Sequence, residues 1–172
     1  MAKARKAVSY RALERPYTRV SKYRKLNYAR ANPPPKIVQF VTGNKNKEDF
    51  PRKVSLVSET ALQIRDLALE SARQSANRRL EKKVGKDSFK LTIKSYPHHI
   101  LRENPLASGA GADRMSTGMQ KSFGKSIGRA ARIMPGAEVI IVEVEDKNIS
   151  VAKEALKLAS HKLPNSYKIK VN

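Results

Sequence analysis

The chain has 172 residues, 36 Lys and Arg against 15 Asp and Glu, a formal net charge of +21, and no cysteine. That length suits one domain with a tail. Such a charge makes a compact protein repel itself unless it meets a polyanion, nucleic acid being the commonest, and the missing thiols exclude disulfides and Cys-ligated metal sites. No apolar run nears the roughly 20 residues that span a bilayer, and Met-Ala-Lys-Ala-Arg-Lys lacks the apolar stretch of a secretory signal, so a soluble protein with very basic surfaces and no membrane partner is expected.

Residues 1–36 hold eleven Lys/Arg, one acid (Glu14), and Tyr10, Tyr17, Tyr23 and Tyr28, and they close on Asn32-Pro33-Pro34-Pro35. No period of 3.6 or 2 persists, so this segment is expected to be an extended basic tail that orders on a partner and adds charge rather than stability to the body at 37–172. Arg5, Lys6, Arg11, Arg15, Arg19, Lys22, Arg24, Lys25 and Arg30 are its candidates for phosphate contact, and Tyr17 for stacking on a base or sugar. Ile37–Thr42 and Val54–Ser58 read as strands. Leu62, Leu69, Ala72, Ala76 and Leu80 lie on one face of a helix expected from about Glu59 to Val84, with Ser58 as N-cap and Gly85 as the residue that ends it. Arg73, Arg78, Arg79 and Lys82 on its polar side are candidates to face RNA. Ser88–Tyr96 alternates, Phe89, Leu91 and Ile93 inward, Lys90 and Lys94 outward, where they can meet phosphate.

The stretch from Tyr96 to Arg132 carries the functional signal. Its Gly/Ala/Ser-rich loop has Arg102 and Arg114 near its ends, with Asn104, Ser108, Gly109, Gly111 and Asp113 between them. A basic, glycine-punctuated run with Lys121, Lys125, Arg129 and Arg132 follows. Glycines allow positive φ and let backbone N–H groups approach phosphate closely. Beyond it, Arg129–Met134 is a short strand, Pro135-Gly136 a turn, and Ala137–Val144 the strongest strand, suited to a central position. Ile149–His161 is a second helix with an Ala152, Ala155, Leu156, Ala159 stripe, and Tyr167–Val171 an edge strand. Two helices among strands that do not alternate strictly with them predict an α+β sandwich, a mixed sheet with both helices packed on it.

Catalytic readings fail on spacing. Gly109-Ala-Gly111-Ala-Asp-Arg114 has Arg114 where a dinucleotide fingerprint needs its third glycine, and Gly124-Lys125-Ser126 lacks the first glycine of a Walker A loop, since position 119 is Met. His98 and His99 are adjacent and diverge, with no carboxylate at a metal-ligand spacing, and no general acid/base pair is visible. Neither an RNA-modifying enzyme nor a cofactor or metal is expected. A DNA-binding chromatin protein shares the charge, but it predicts equal affinity for duplex DNA and structured RNA.

Gly111-Ala-Asp-Arg114, Thr117-Gly-Met119 and Phe123-Gly-Lys125, in that order, resemble the archaeal and eukaryotic branch of the ribosomal large-subunit protein sixteen family, the "ten-e" proteins. Ala72–Asn77, Gly85-Lys-Asp87, Tyr96-Pro-His-His and Arg15-Pro16-Tyr17 extend the resemblance over nearly the whole chain. The end at Asn172, short of the eukaryotic extension, makes it resemble the archaeal members. The resemblance implies a hammerhead-like α+β fold and a non-enzymatic, cytoplasmic constituent of the large ribosomal subunit. It further implies binding to large-subunit rRNA near 5S rRNA, among other large-subunit proteins. The loop at Arg102–Arg114 would lie beside tRNA near the peptidyl-transferase centre. Two positions depart from the family pattern: Ser126 stands where Gly-Lys-Pro is common, and Arg129 where Gly-Thr is.

Overall fold

In the computed structural model, which describes residues 6–17, 21–29, 31–46, 50–103 and 124–172, ten elements build the body: β1 (Val41–Gly43), β2 (Arg52–Ser58), β3 (Leu62–Arg65), α1 (Asp66–Lys83), β4 (Phe89–Ile93), β5 (His99–Glu103), β6 (Lys125–Ile133), β7 (Glu138–Val144), α2 (Ile149–Ser160) and β8 (Tyr167–Val171). They make a five-stranded sheet, β1-β4-β7-β2-β8, and a three-stranded sheet, β3-β6-β5. The α+β class stands. The described pairings are all antiparallel rather than mixed, and the strands divide between two sheets.

The core follows from the apolar patterning. β7 is central in the larger sheet, and Val139 through Val142 and Val144 are buried. Phe89, Leu91 and Ile93 of β4 turn inward from β7's flank. Leu69, Ala72, Ala76 and Leu80 of α1 and Ala152, Ala155, Leu156 and Ala159 of α2 close over the sheet, and the alanines let the two helices pack on each other. Each fully buried Leu or Ile contributes roughly 1.5–3 kcal/mol. β8 lies at the sheet edge, with Lys168 and Lys170 exposed.

Three expectations are corrected. The first helix begins at Asp66, not near Glu59, because Leu62 and Ile64 pair with Ile133 and Ala131 as a strand. Ser58 therefore ends β2, its hydroxyl donating to the Thr60 carbonyl at 2.8 Å, and caps no helix. Gly85 does take the role expected of it, with φ +91° directly after the helix. The strand expected at Ile37–Thr42 shrinks to Val41–Gly43. Carboxylates of α1 take the preceding amides instead: Lys36 N–H donates to Asp66 at 3.0 Å and Val38 N–H to Glu70 at 3.2 Å. Finally, the central stretch opens with an unanticipated strand, β5, and the short strand expected at Arg129–Met134 is the nine-residue β6. β5 and β6 pair antiparallel, with a register shift between Leu101 and Arg102.

Candidate nucleic-acid interface

The outer face of the small sheet is covered by the chain's own N-terminal segment. Gln63, buried in β3, donates its backbone N–H to the Arg11 carbonyl at 3.0 Å and its side-chain amide to the Ala12 carbonyl at 2.5 Å. The Tyr10 hydroxyl donates to Glu103 at 3.4 Å, and the Arg65 guanidinium lies 5.7 Å from the Tyr10 ring centre. Tyr17 N–H donates to Nδ1 of His99 at 2.9 Å. Further along, Ser126 donates to the Ala31 carbonyl at 3.0 Å and Arg129 to the Asn32 side chain at 2.7 Å. The described tail thus does more than carry charge, because it satisfies polar groups that the sheet would otherwise bury unpaired.

His99 is the tightest of these attachments, only 2% exposed. An imidazole that accepts at Nδ1 is neutral and carries its proton on Nε2, here 3.9 Å from the Glu14 carboxylate. Burial pushes His99 below its ordinary pKa; Glu14 opposes the shift, whereas Arg132 and Arg102 add to it.

Beside this strap, Tyr17 and Tyr28 stack with ring centres 5.4 Å apart, and the Tyr17 hydroxyl donates to the Tyr28 carbonyl. The Arg102 guanidinium lies 4.0 Å from the Tyr17 ring centre, a close cation–π contact. These groups, with Lys125 and Ser126, line a cleft of about 530 Å³. Two strand ends frame it, since Arg102 lies near the end of β5 and Lys125 begins β6.

The small sheet and its strap gather Arg11, Tyr17, Arg102, Lys125, Arg129 and Arg132. Lys6, Arg15, Lys22, Arg24, Lys25, Arg78, Lys82, Lys94, Lys125 and Arg132 are exposed, available to phosphate in solution. Other candidates have partners within the chain. Arg79 on α1 bonds to Glu154 on α2, and Lys90 on β4 lies 3.8 Å from Glu143 on β7. Arg73 does not face outward: its guanidinium grips Glu70 with contacts of 2.6 and 2.9 Å, about nine-tenths buried on both sides. Burial pushes Glu70 up, but hydrogen bonds from Arg73, Gln74 and the Val38 amide outweigh it and hold the carboxyl below its ordinary pKa. Arg5, Arg19, Arg30, Asn104, Ser108, Gly109, Gly111, Asp113, Arg114 and Lys121 lie outside the described residues.

Sequence reasoning passed over Tyr28 as a site residue, and over Gln63 and His99 as attachment points. The signal for Gln63 was a polar residue between Leu62 and Ile64, visible only once that run is read as a strand. Among the described residues, no group of three or more His, Asp and Glu could hold a metal ion, and no helix is long and apolar enough to cross a membrane.

The family model described as ribosomal protein L16p/L10e matches residues 16–170. The chain is 46% identical over 162 residues to large ribosomal subunit protein uL16 of Archaeoglobus fulgidus, covering 94% of this chain and 89% of that one. It is 46% identical over 160 residues to the Methanococcus aeolicus protein of the same name, covering 93% and 89%. The Picrophilus torridus protein of that name is 44% identical over 159 residues, covering 91% and 90%.

Proposed function

This chain belongs to the ribosomal protein L16p/L10e family, and we propose from that premise that it is a structural constituent of the large ribosomal subunit, in the cytoplasm, and not an enzyme. One observation carries the reading: likeness to proteins named for that subunit runs through tail and body alike, over more than nine-tenths of the chain. The +21 charge is what such a place requires. Exposed Lys and Arg neutralise rRNA phosphates and release counterions, which fixes the protein's position without reading sequence. The cations proposed for this are Arg5, Lys6, Arg11, Arg15, Arg19, Lys22, Arg24, Lys25, Arg30, Arg78, Arg79, Lys82, Lys90, Lys94, Lys121, Lys125, Arg129 and Arg132, with Tyr17 among them.

The finer assignment is that the segment from Arg102 to Arg114 helps order the tRNA-accommodation region, with 5S rRNA nearby. Its support is the glycine-rich composition, suited to close backbone approach, and its span between the paired strands β5 and β6, which hold both ends on one small sheet.

Sedimentation tests the coarse reading: the protein is expected to travel with large subunits through a high-salt gradient. Recovery at the top of the gradient, or equal affinity for duplex DNA and structured rRNA at fixed salt, would sink it. Replacing Ser108–Ala112 by a short turn tests the finer one. Subunit incorporation should persist while tRNA-dependent steps fail, and an equal failure of assembly would make the segment structural.

A further inference from the structure

We propose that the cleft beside Tyr28 receives a single unpaired RNA base. The inference rests on the rRNA-binding reading above and names a ligand element that reading leaves open.

Three features of the cleft point to a base rather than to backbone alone. The first is an aromatic platform: Tyr17 and Tyr28 are already stacked, and Tyr28 remains 49% exposed, so a further planar group extends the stack. RNA is read chiefly where unstacked bases can be splayed out onto Tyr, Phe or Arg planes. The second is a cation pair at the rim. Arg102 lies against the Tyr17 ring, and Lys125 lines the same space, exposed, with no carboxylate among the lining residues. A base entering this space brings its phosphates with it, and two cations without an acid suit that dianionic flank. The third is size and rigidity. At about 530 Å³ the cleft falls within the roughly 300–1,000 Å³ of small-ligand sites. Its walls are held by bonds that do not involve the base, namely Ser126 to the Ala31 carbonyl and the Tyr17 hydroxyl to the Tyr28 carbonyl. A paired base cannot enter, because its edge and both faces are already taken in the helix. The cleft therefore selects a bulge, a loop or a flipped nucleotide.

The test uses the full chain and two RNA hairpins of equal charge at one fixed salt concentration. One hairpin carries a single bulged 2-aminopurine, and in the other the same base is paired. Wild-type protein is expected to bind the bulged hairpin about ten-fold more tightly, on the scale of one base–aromatic stack, and to quench the bulged base. Tyr28→Leu removes the ring while keeping apolar bulk, so the bulged-to-paired affinity ratio should fall to about one and the quench should vanish. Tyr28→Phe should keep both, since the Tyr28 contact to Tyr17 runs through the backbone carbonyl and the ring. Equal, tight binding of both hairpins by wild-type protein would overturn the base pocket and leave the rRNA-binding reading standing. So would a Tyr28→Leu variant that keeps the ratio. Binding of neither hairpin would overturn both.

Discussion

Residues that a sequence reading assigns to a partner are often spent on the protein itself, and Arg73 and His99 show why. Arg73 sits on the α1 face that meets residues 38–42, so its guanidinium finds Glu70 one turn away and Thr42 at 3.2 Å. Removing one member strands the other in a buried site: Arg73→Met should cost about 3 kcal/mol. The Glu70→Gln/Arg73→Met double variant should cost much less, because no bare charge remains. Urea denaturation of the single and double variants checks this, and equal losses would mean that the pair acts only through packing. For His99 the folded pKa lies below the unfolded one, near 6.5. The unfolded chain therefore takes up the proton first as pH falls. The contribution of neutral His99 to stability is complete above the unfolded value and declines as pH drops below it toward the folded one. Melting temperatures of wild type and His99→Gln, compared between pH 7.5 and pH 5, should diverge in that window, with wild type losing more. Parallel curves would show that His99 does not titrate on unfolding.

At the scale of elements, the sheet pairings decide what the periodicities left ambiguous. Leu62 through Leu69 fits a helical stripe as well as a strand followed by a helix start, and only the partner strand β6 separates the two. β5 escaped notice because His99-Ile-Leu-Arg-Glu does not alternate, its His being buried from above by the tail. β4, β7, α2 and β8 were legible, since each has a complete pattern of its own and a position that buries it. Gly43 shows how closely an edge pairing is constrained. It ends β1 at φ +92°, and an added Cβ would lie 2.3 Å from the Phe89 carbonyl oxygen. That carbonyl also accepts the Asn44 N–H at 2.9 Å. Gly43→Ala should therefore lower stability by about 2 kcal/mol or more and loosen β1 from β4. Hydrogen exchange at Val41–Gly43 reports the second effect, and unchanged protection there would refute it.

For the whole molecule, the question is what the tail contributes. Composition alone suggested a charged appendage whose removal spares the body. Its described part instead closes the small sheet through Gln63 and His99. Deleting residues 1–30 should accordingly do two things. It should flatten the salt dependence of rRNA binding, because fewer phosphates are neutralised, and it should lower the melting temperature by several degrees, because buried polar groups of β3 and β5 lose their partners. An unchanged salt slope would remove the tail from the RNA contact, and an unchanged melting temperature would return it to the role of appendage. The small sheet's cleft, with Tyr28 beside Lys125, brings together residues 97 positions apart. The sequence by itself determined the basic character, the α+β class, the helical stripes and the central strand, because charge, alternation and apolar spacing are local properties that each segment carries wherever it packs. The tertiary structure alone decided the two-sheet division, the strap over His99 and the grouping of Tyr17, Tyr28, Arg102 and Lys125. Those depend on pairing between distant segments, which no local period encodes.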